Sequence, residues 1–263
     1  SLKFAEEEWA MCKGMYDAVD KNLSYAAPFV APGIFERMHH LGKIDETLMA
    51  LYESEDEVHD LVKALTEWEL KQAEGTCSHL KPDAVFHHDD WGSMTSTFMS
   101  VDMFDEFFLE PYKAIYGYWK QNGAELCIHH SDSYAATLVP SMIEMGINVF
   151  QGATSTNNIP ALVKKYGDKI TIMGGFDGAE VDKKGMNKET MKGIVERIIG
   201  EVGTPKGFIP CIAQGGPGSV YKGVYEMLCE CIDEYNIEHM GCTVEDVNNR
   251  VPHQVMFPGN EEL

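Results

Sequence analysis

The chain has 263 residues, 44% hydrophobic and 24% charged, a length that supports one large domain or two small ones with ample burial. Its 42 acidic against 21 basic residues give a net charge of −21. That balance argues against nucleic acid and anionic membrane surfaces as partners, where cationic patches supply most of the affinity. In chain order, Leu2 to Asn22 reads as an amphipathic helix and Asn22 to Pro32 as a short strand ending in a Pro-rich turn. The stretch GIFERMHHLGK reads as a loop or helix start. Asp45 to Glu74 reads as two helices, with Ser54 and Glu57 as a capping box for the second.

From there apolar runs lead repeatedly into polar residues. Ala84-Val85-Phe86 enters His87-His88-Asp89-Asp90, and Leu126-Cys127-Ile128 enters His129-His130-Ser131-Asp132. Ile147 to Phe150 enters Gln151-Gly152, Ile170 to Met173 enters Gly174-Gly175-Phe176-Asp177, and Phe208 to Ile212 enters Ala213-Gln214-Gly215-Gly216. Helical patterns separate them: Val101–Gln121 with a kink expected at Pro111, Ala135–Met145, Ile159–Tyr166, Lys188–Val202 and Val220–Tyr235. This alternation predicts a parallel sheet covered on both faces, in one domain. A closed barrel and a doubly wound open sheet both place chemistry at the strand ends, so the pattern alone leaves the two open. The runs number six strands with Asn22–Val30 included, and a closed (β/α)8 barrel needs eight.

Seven cysteines form no framework, which fits a reduced setting. No apolar run reaches the roughly 20 residues of a membrane span, and no signal-peptide core opens the chain, so a cytoplasmic protein is expected. Histidine carries the chemical signal. Alternate residues of an extended segment face the same way, so His88 with Asp90, and His130 with Asp132, are expected to point together. An imidazole and a carboxylate so placed can chelate a divalent metal, act as a general acid–base pair, or simply cap a loop. His39-His40 has no acid at the second position beyond it and reads as surface or packing. The run Gln214-Gly215-Gly216-Pro217-Gly218 lacks the Lys-Ser/Thr ending of a phosphate loop.

Several segments together resemble the uroporphyrinogen decarboxylase superfamily, which includes tetrapyrrole decarboxylases and corrinoid-dependent methyltransferases. They are Ala27-Pro28-Phe29 with LMALYESEDEVHDLVKAL, and Asp89-Asp90-Trp91-Gly92 with SVDMFDEFFLEPYKAIYGYWKQNG. His130-Ser131-Asp132-Ser133 with LVPSMIEMGINVF, Gly174-Gly175-Phe176-Asp177, and the late glycine-rich loop complete the set. The resemblance implies a (β/α)8 barrel over residues 1–263 that is short at its N-terminus, because the family's first strands precede the part matched. The decarboxylases' arginine-rich N-terminal motif is not found, and Gln214 stands where their late loop carries histidine.

The methyltransferase branch commonly binds zinc through a His-x-Cys pair and a later cysteine; here His130 keeps the first ligand, while Asp132, an acceptable ligand, replaces the second and Gln214, a poor one for zinc, replaces the third. The "H-S-D" and "G-G-x-D" forms look most like O-demethylating components. The resemblance therefore implies transfer of a methyl group from a small methoxy- or methylamine-type donor to a corrinoid on a partner protein. On that reading His130, Asp132, Asp90 and Asp177 are the catalytic candidates, and His130 with Asp132 the Zn2+ candidates. His88, Asp89, Trp91, Gln151, Gly175 and Gln214 are the substrate-binding candidates, with Asp89 the one expected to fix a loop. A homodimer is expected by resemblance alone. Uroporphyrinogen decarboxylation and non-catalytic corrinoid or tetrapyrrole binding remain the alternatives.

Overall fold

The computed structural model describes residues 6–22, 24–215 and 219–249, and divides into two compact units, Ser1–Phe150 and Gln151–Leu263. The first begins with α1 (Glu6–Asp17), then β1 (Phe29–Val30), α2 (Ile34–Leu41), α3 (Ile44–Glu53), α4 (Glu55–Leu80) and β2 (Ala84–His88). It continues through α5 (Val101–Phe104), a π-helical turn at Asp105–Leu109, α6 (Glu110–Gln121), β3 (Leu126–His130) and α7 (Val139–Met145). The unit boundary falls within β4 (Val149–Ala153). The second unit carries α8 (Ile159–Tyr166), β5 (Thr171–Phe176), α9 (Gly178–Val181), α10 (Lys188–Val202), β6 (Phe208–Ile212), α11 (Val224–His239) and α12 (Val244–Asn248).

Strand order is chain order, β1 to β6, and pairing is parallel wherever a register is described. A doubly wound sheet reverses its winding partway; an unreversed order is that of a (β/α) barrel, of which six strands are present. In the first unit Phe86 pairs with Ile128 and His88 with His130, so the chemically loaded ends of β2 and β3 lie level.

Several elements differ from expectation for identifiable reasons. Only Phe29–Val30 of the first expected strand pairs, because Pro28 and Pro32 flank it and donate no backbone N–H. Ser54 does stand at the head of α4, but its side chain makes no cap. The expected kink at Pro111 is displaced upstream: proline sits in the first turn of α6, where it is tolerated, and the π turn just before it takes up the irregularity. α10 matches its expected bounds because Asn187 caps it, accepting from the Thr190 N–H, and Gly203 ends it in the left-handed region at φ 68°. Gly216 to Gly218 of the late loop lie outside the described residues.

α2 was the least legible helix, and it matters most for the site. Its N-cap is Gly33, which has no side chain to satisfy the first free N–H groups. The ends of β2 and α6 supply the acceptors instead. Gly33 N–H donates to the His88 carbonyl (2.7 Å), Ile34 N–H to the Tyr112 hydroxyl (3.1 Å), and Phe35 and Glu36 N–H to the two Asp89 carboxylate oxygens (3.0 and 2.8 Å). Glycine is required because a Cβ there would lie 2.6 Å from Asp89 Cβ and 2.8 Å from His87 Cε1, both fully buried. Gly33→Ala is expected to destabilise the protein by about 1–3 kcal/mol through this overpacking. Urea unfolding measures it; a change within about 0.3 kcal/mol would show that α2 is not held so closely.

Candidate active site at the ends of β2 and β3

Past the strand ends the two-residue alternation continues and sorts the side chains into two layers. His87, Asp89, Trp91, His129, Ser131 and Ser133 are buried, whereas His88, Asp90, His130 and Asp132 are half-buried.

The buried layer is a hydrogen-bonded support. His87 Nε2 meets the Glu69 carboxylate of α4 at 3.1 Å, with both side chains almost wholly enclosed. His129 Nε2 lies 3.1 Å from the Asp89 carbonyl, which can only accept, so that nitrogen carries the proton and Nδ1 accepts from the Tyr116 hydroxyl at 2.8 Å. Burial holds His129 well below the usual imidazole range, and its neutral ring stacks on Trp91 at 3.9 Å. Asp89 accepts from Trp91 Nε1 (3.0 Å) and Tyr112 Oη besides capping α2. Burial pushes its carboxyl up to about 7 against the pull of those donors. Asp89 and Trp91, expected to bind substrate, are thus both fully enclosed. Their contacts run to α2, α6 and the His129 ring.

The half-buried layer converges. His88, Asp90 and His130 each offer a ligand atom within 4.8 Å of the others. The His88 and His130 rings lie 4.7 Å apart. His88 Nε2 stands 3.6 Å from Asp90 Oδ2 and 3.2 Å from Glu36 Oε2 of α2. Asp90 and Glu36 hold the His88 imidazolium, raising its pKa to about 10. Burial acts to raise Asp90, but His88, Ser131 and His130 outweigh it and keep the carboxyl below its ordinary range. Asp132 gives its backbone N–H to Asp90 Oδ1 (3.1 Å), and burial together with the Asp90 charge raises its carboxyl. The three-donor cluster shares His130 with the expected His130–Asp132 pair and brings in His88 and Asp90, and the His130 charge also acts on the Asp132 carboxyl.

Two imidazole nitrogens and a carboxylate oxygen are a donor set that suits zinc. His88 Nε2 is buried between two carboxylates that it meets as ion pairs rather than in hydrogen-bond geometry, and it belongs to the cluster. A cation there would displace the imidazolium proton. Glu36 was missed in the sequence because it reaches the cluster from another element; the signal was an acid in the first turn of an unrecognised helix.

The remaining candidates belong to the second unit. Asp177 heads α9 and accepts from the Ser155 N–H (2.9 Å) and hydroxyl (2.5 Å). Gln214 Oε1 accepts from the Gly178 N–H at 3.3 Å. Gln151 hydrogen-bonds Cys211, whose thiol burial pushes up to about 12. Gly175, expected to let a ligand approach, has φ 97°, and a Cβ there would meet Ile198 and Phe208 at 3.3 Å. It lies within β5, paired with Cys211, and its missing Cβ leaves room for Ile198 and Phe208.

The family model for uroporphyrinogen decarboxylase (URO-D) matches residues 29–235. The chain belongs to the uroporphyrinogen decarboxylase family. Among solved structures, a methyltransferase from Methanosarcina mazei is similar in fold, with TM-score 0.61 and 14% identity. The match covers 84% of this chain and 62% of that one, so this chain spans less than two thirds of that methyltransferase's length. No curated protein matches. Among the described residues no helix is long and apolar enough to cross a membrane.

Proposed function

We propose that this URO-D family chain is a methyltransferase component, moving a methyl group between a small methoxy- or methylamine-type donor and a corrinoid carried by a partner protein. The observation that carries the reading is the His88–Asp90–His130 cluster at the level ends of two adjacent parallel strands, where barrel enzymes do their chemistry. The methyltransferase fold of the Methanosarcina mazei structure supports it.

The chemical demand is at the leaving atom. When the methyl carbon departs, its oxygen or nitrogen gains electron density and must be neutralised. His88, held as an imidazolium by Asp90 and Glu36, has a proton on Nε2 to give. His130 faces the same point from β3 and orients the donor. Backbone hydrogen bonds from Gly33 to the His88 carbonyl and from Asp89 to the His130 carbonyl hold the two strand ends, and Phe86 stacks on the His130 ring, which favours an in-line approach. A zinc ion held by His88, Asp90 and His130 would take the place of the His88 proton and supply Lewis acidity at the leaving atom instead. The corrinoid, when docked, supplies the cobalt that accepts the methyl group.

Uroporphyrinogen decarboxylation fits less well. A substrate with many carboxylates needs cations, and the cluster gathers acids and imidazoles. Arg37, on the adjoining helix, is turned to the Pro32 carbonyl (2.6 Å) and the Trp68 ring (3.9 Å).

The test is methyl transfer to reduced cobalamin, followed by its visible spectrum, with a panel of methoxyarenes and methylamines. Wild type is expected to methylate the cobalamin, and His130→Ala to do so about 10²–10⁴-fold more slowly. No methylation by wild type with any donor, alongside carbon dioxide release from uroporphyrinogen, would replace this reading with decarboxylation.

A further inference from the structure

A second cluster lies one helix away. Glu36, His39 and His40 of α2 each offer a ligand atom within 4.8 Å of the others. We propose that Glu36, His39 and His40 form a second divalent-cation site, joined through the Glu36 carboxylate to the His88–Asp90–His130 cluster. This inference does not require methyl transfer; it is a statement about metal binding.

The geometry follows from helical spacing. Positions three and four apart share a face, so His39 and His40 both reach back over Glu36. Two histidines in a last turn ordinarily serve the free carbonyls at the helix end. Here their nitrogens converge instead on an acid one turn toward the N-terminus. The rings stand edge to face at 4.8 Å, and His39 is braced against Phe35 at 5.4 Å. Bracing matters because a site held by rigid neighbours loses less freedom on binding.

The helix itself is anchored at the decisive point. Asp89 accepts the Glu36 N–H at 2.8 Å, which fixes the residue both clusters would share. Glu36 Oε2 already lies 3.2 Å from His88 Nε2, so one carboxylate touches each group of donors. Arg37, the next residue, is held by Pro32 and Trp68, away from competition with a cation. Glu36 and His39 are half-buried and His40 is exposed, so a cation has a route in and room for water as remaining ligand. Two imidazoles and one carboxylate favour zinc, cobalt or nickel over magnesium or calcium, which prefer all-oxygen sites.

The experiment is equilibrium dialysis of the full chain against zinc chloride, with bound metal counted by plasma mass spectrometry and folding checked by circular dichroism. Wild type is expected to hold two zinc ions per chain. His40→Ala, an exposed position that should fold normally, is expected to hold one; Asp90→Asn is expected to lose the other. Glu36→Gln is expected to weaken both by at least tenfold. Wild type binding at most one ion, or His40→Ala keeping the wild-type number, would overturn the proposal. Methyl transfer is not among these readouts, so the two claims fail separately.

Discussion

Asp89→Ala is expected to lower folding stability by about 3–5 kcal/mol, the range for stripping one partner from a buried charged network. The side chain is fully enclosed and serves four donors: Phe35 N–H, Glu36 N–H, Trp91 Nε1 and Tyr112 Oη. Each left without an acceptor would cost about 1–3 kcal/mol, and water entering the vacated space would recover part of that sum. Asp89→Asn keeps one acceptor oxygen but sets an amide N–H₂ against the remaining donors, so its loss should be smaller. Urea denaturation at fixed pH compares the three proteins. A loss below about 1 kcal/mol for the alanine variant would mean that α2 keeps its place without this cap. Amide exchange offers a finer reading, because protection should fall first at Phe35 and Glu36.

His88→Gln is expected to leave the fold intact while slowing methyl transfer by about 10²–10⁴-fold, the usual worth of a positioned acid. Its ring is half-buried, and glutamine can occupy the space without an unpaired core group. What is lost is the imidazolium between Asp90 and Glu36, and with it the proton at Nε2. Substrate binding should change less than turnover, since the demand arises as the methyl carbon departs. Rates at saturating donor, measured beside the thermal midpoint, separate the two effects. A variant within about threefold of wild type would remove His88 from the chemistry.

The parts of this molecule that were legible in the sequence are those whose cause is local. α8 and α10 carry their own apolar period, and α10 its own end signals, so their limits could be read directly. The pairs His88–Asp90 and His130–Asp132 followed from strand alternation, which holds wherever a chain stays extended. The illegible parts have distant causes. α2 is capped by Asp89, 56 positions beyond Gly33, and nothing in GIFERMHHLGK announces it. His40 is exposed and His39 packs on Phe35, which agrees with reading the pair as surface or packing; what that reading did not include is the acid three and four residues back on the helix, at Glu36. Neighbours in sequence could not show that the parallel register would set His88 opposite His130 and so bring His88, Asp90 and His130 together.

The π-helical turn at Asp105–Leu109 bears on how this site could have arisen and how it can be lost. Such a turn is the footprint of one extra residue in an otherwise regular helix. Deleting a single residue there would straighten the helix and relieve a local irregularity. It would also rotate everything downstream by about 100°, one residue's share of a turn. Tyr112 would swing off Asp89 and Ile34, and Tyr116 off His129. The proton arrangement beneath the histidines thus depends on a length difference of one amino acid in the turn that leads into α6, and a regularised design of this helix would keep the barrel wall while unseating its chemistry.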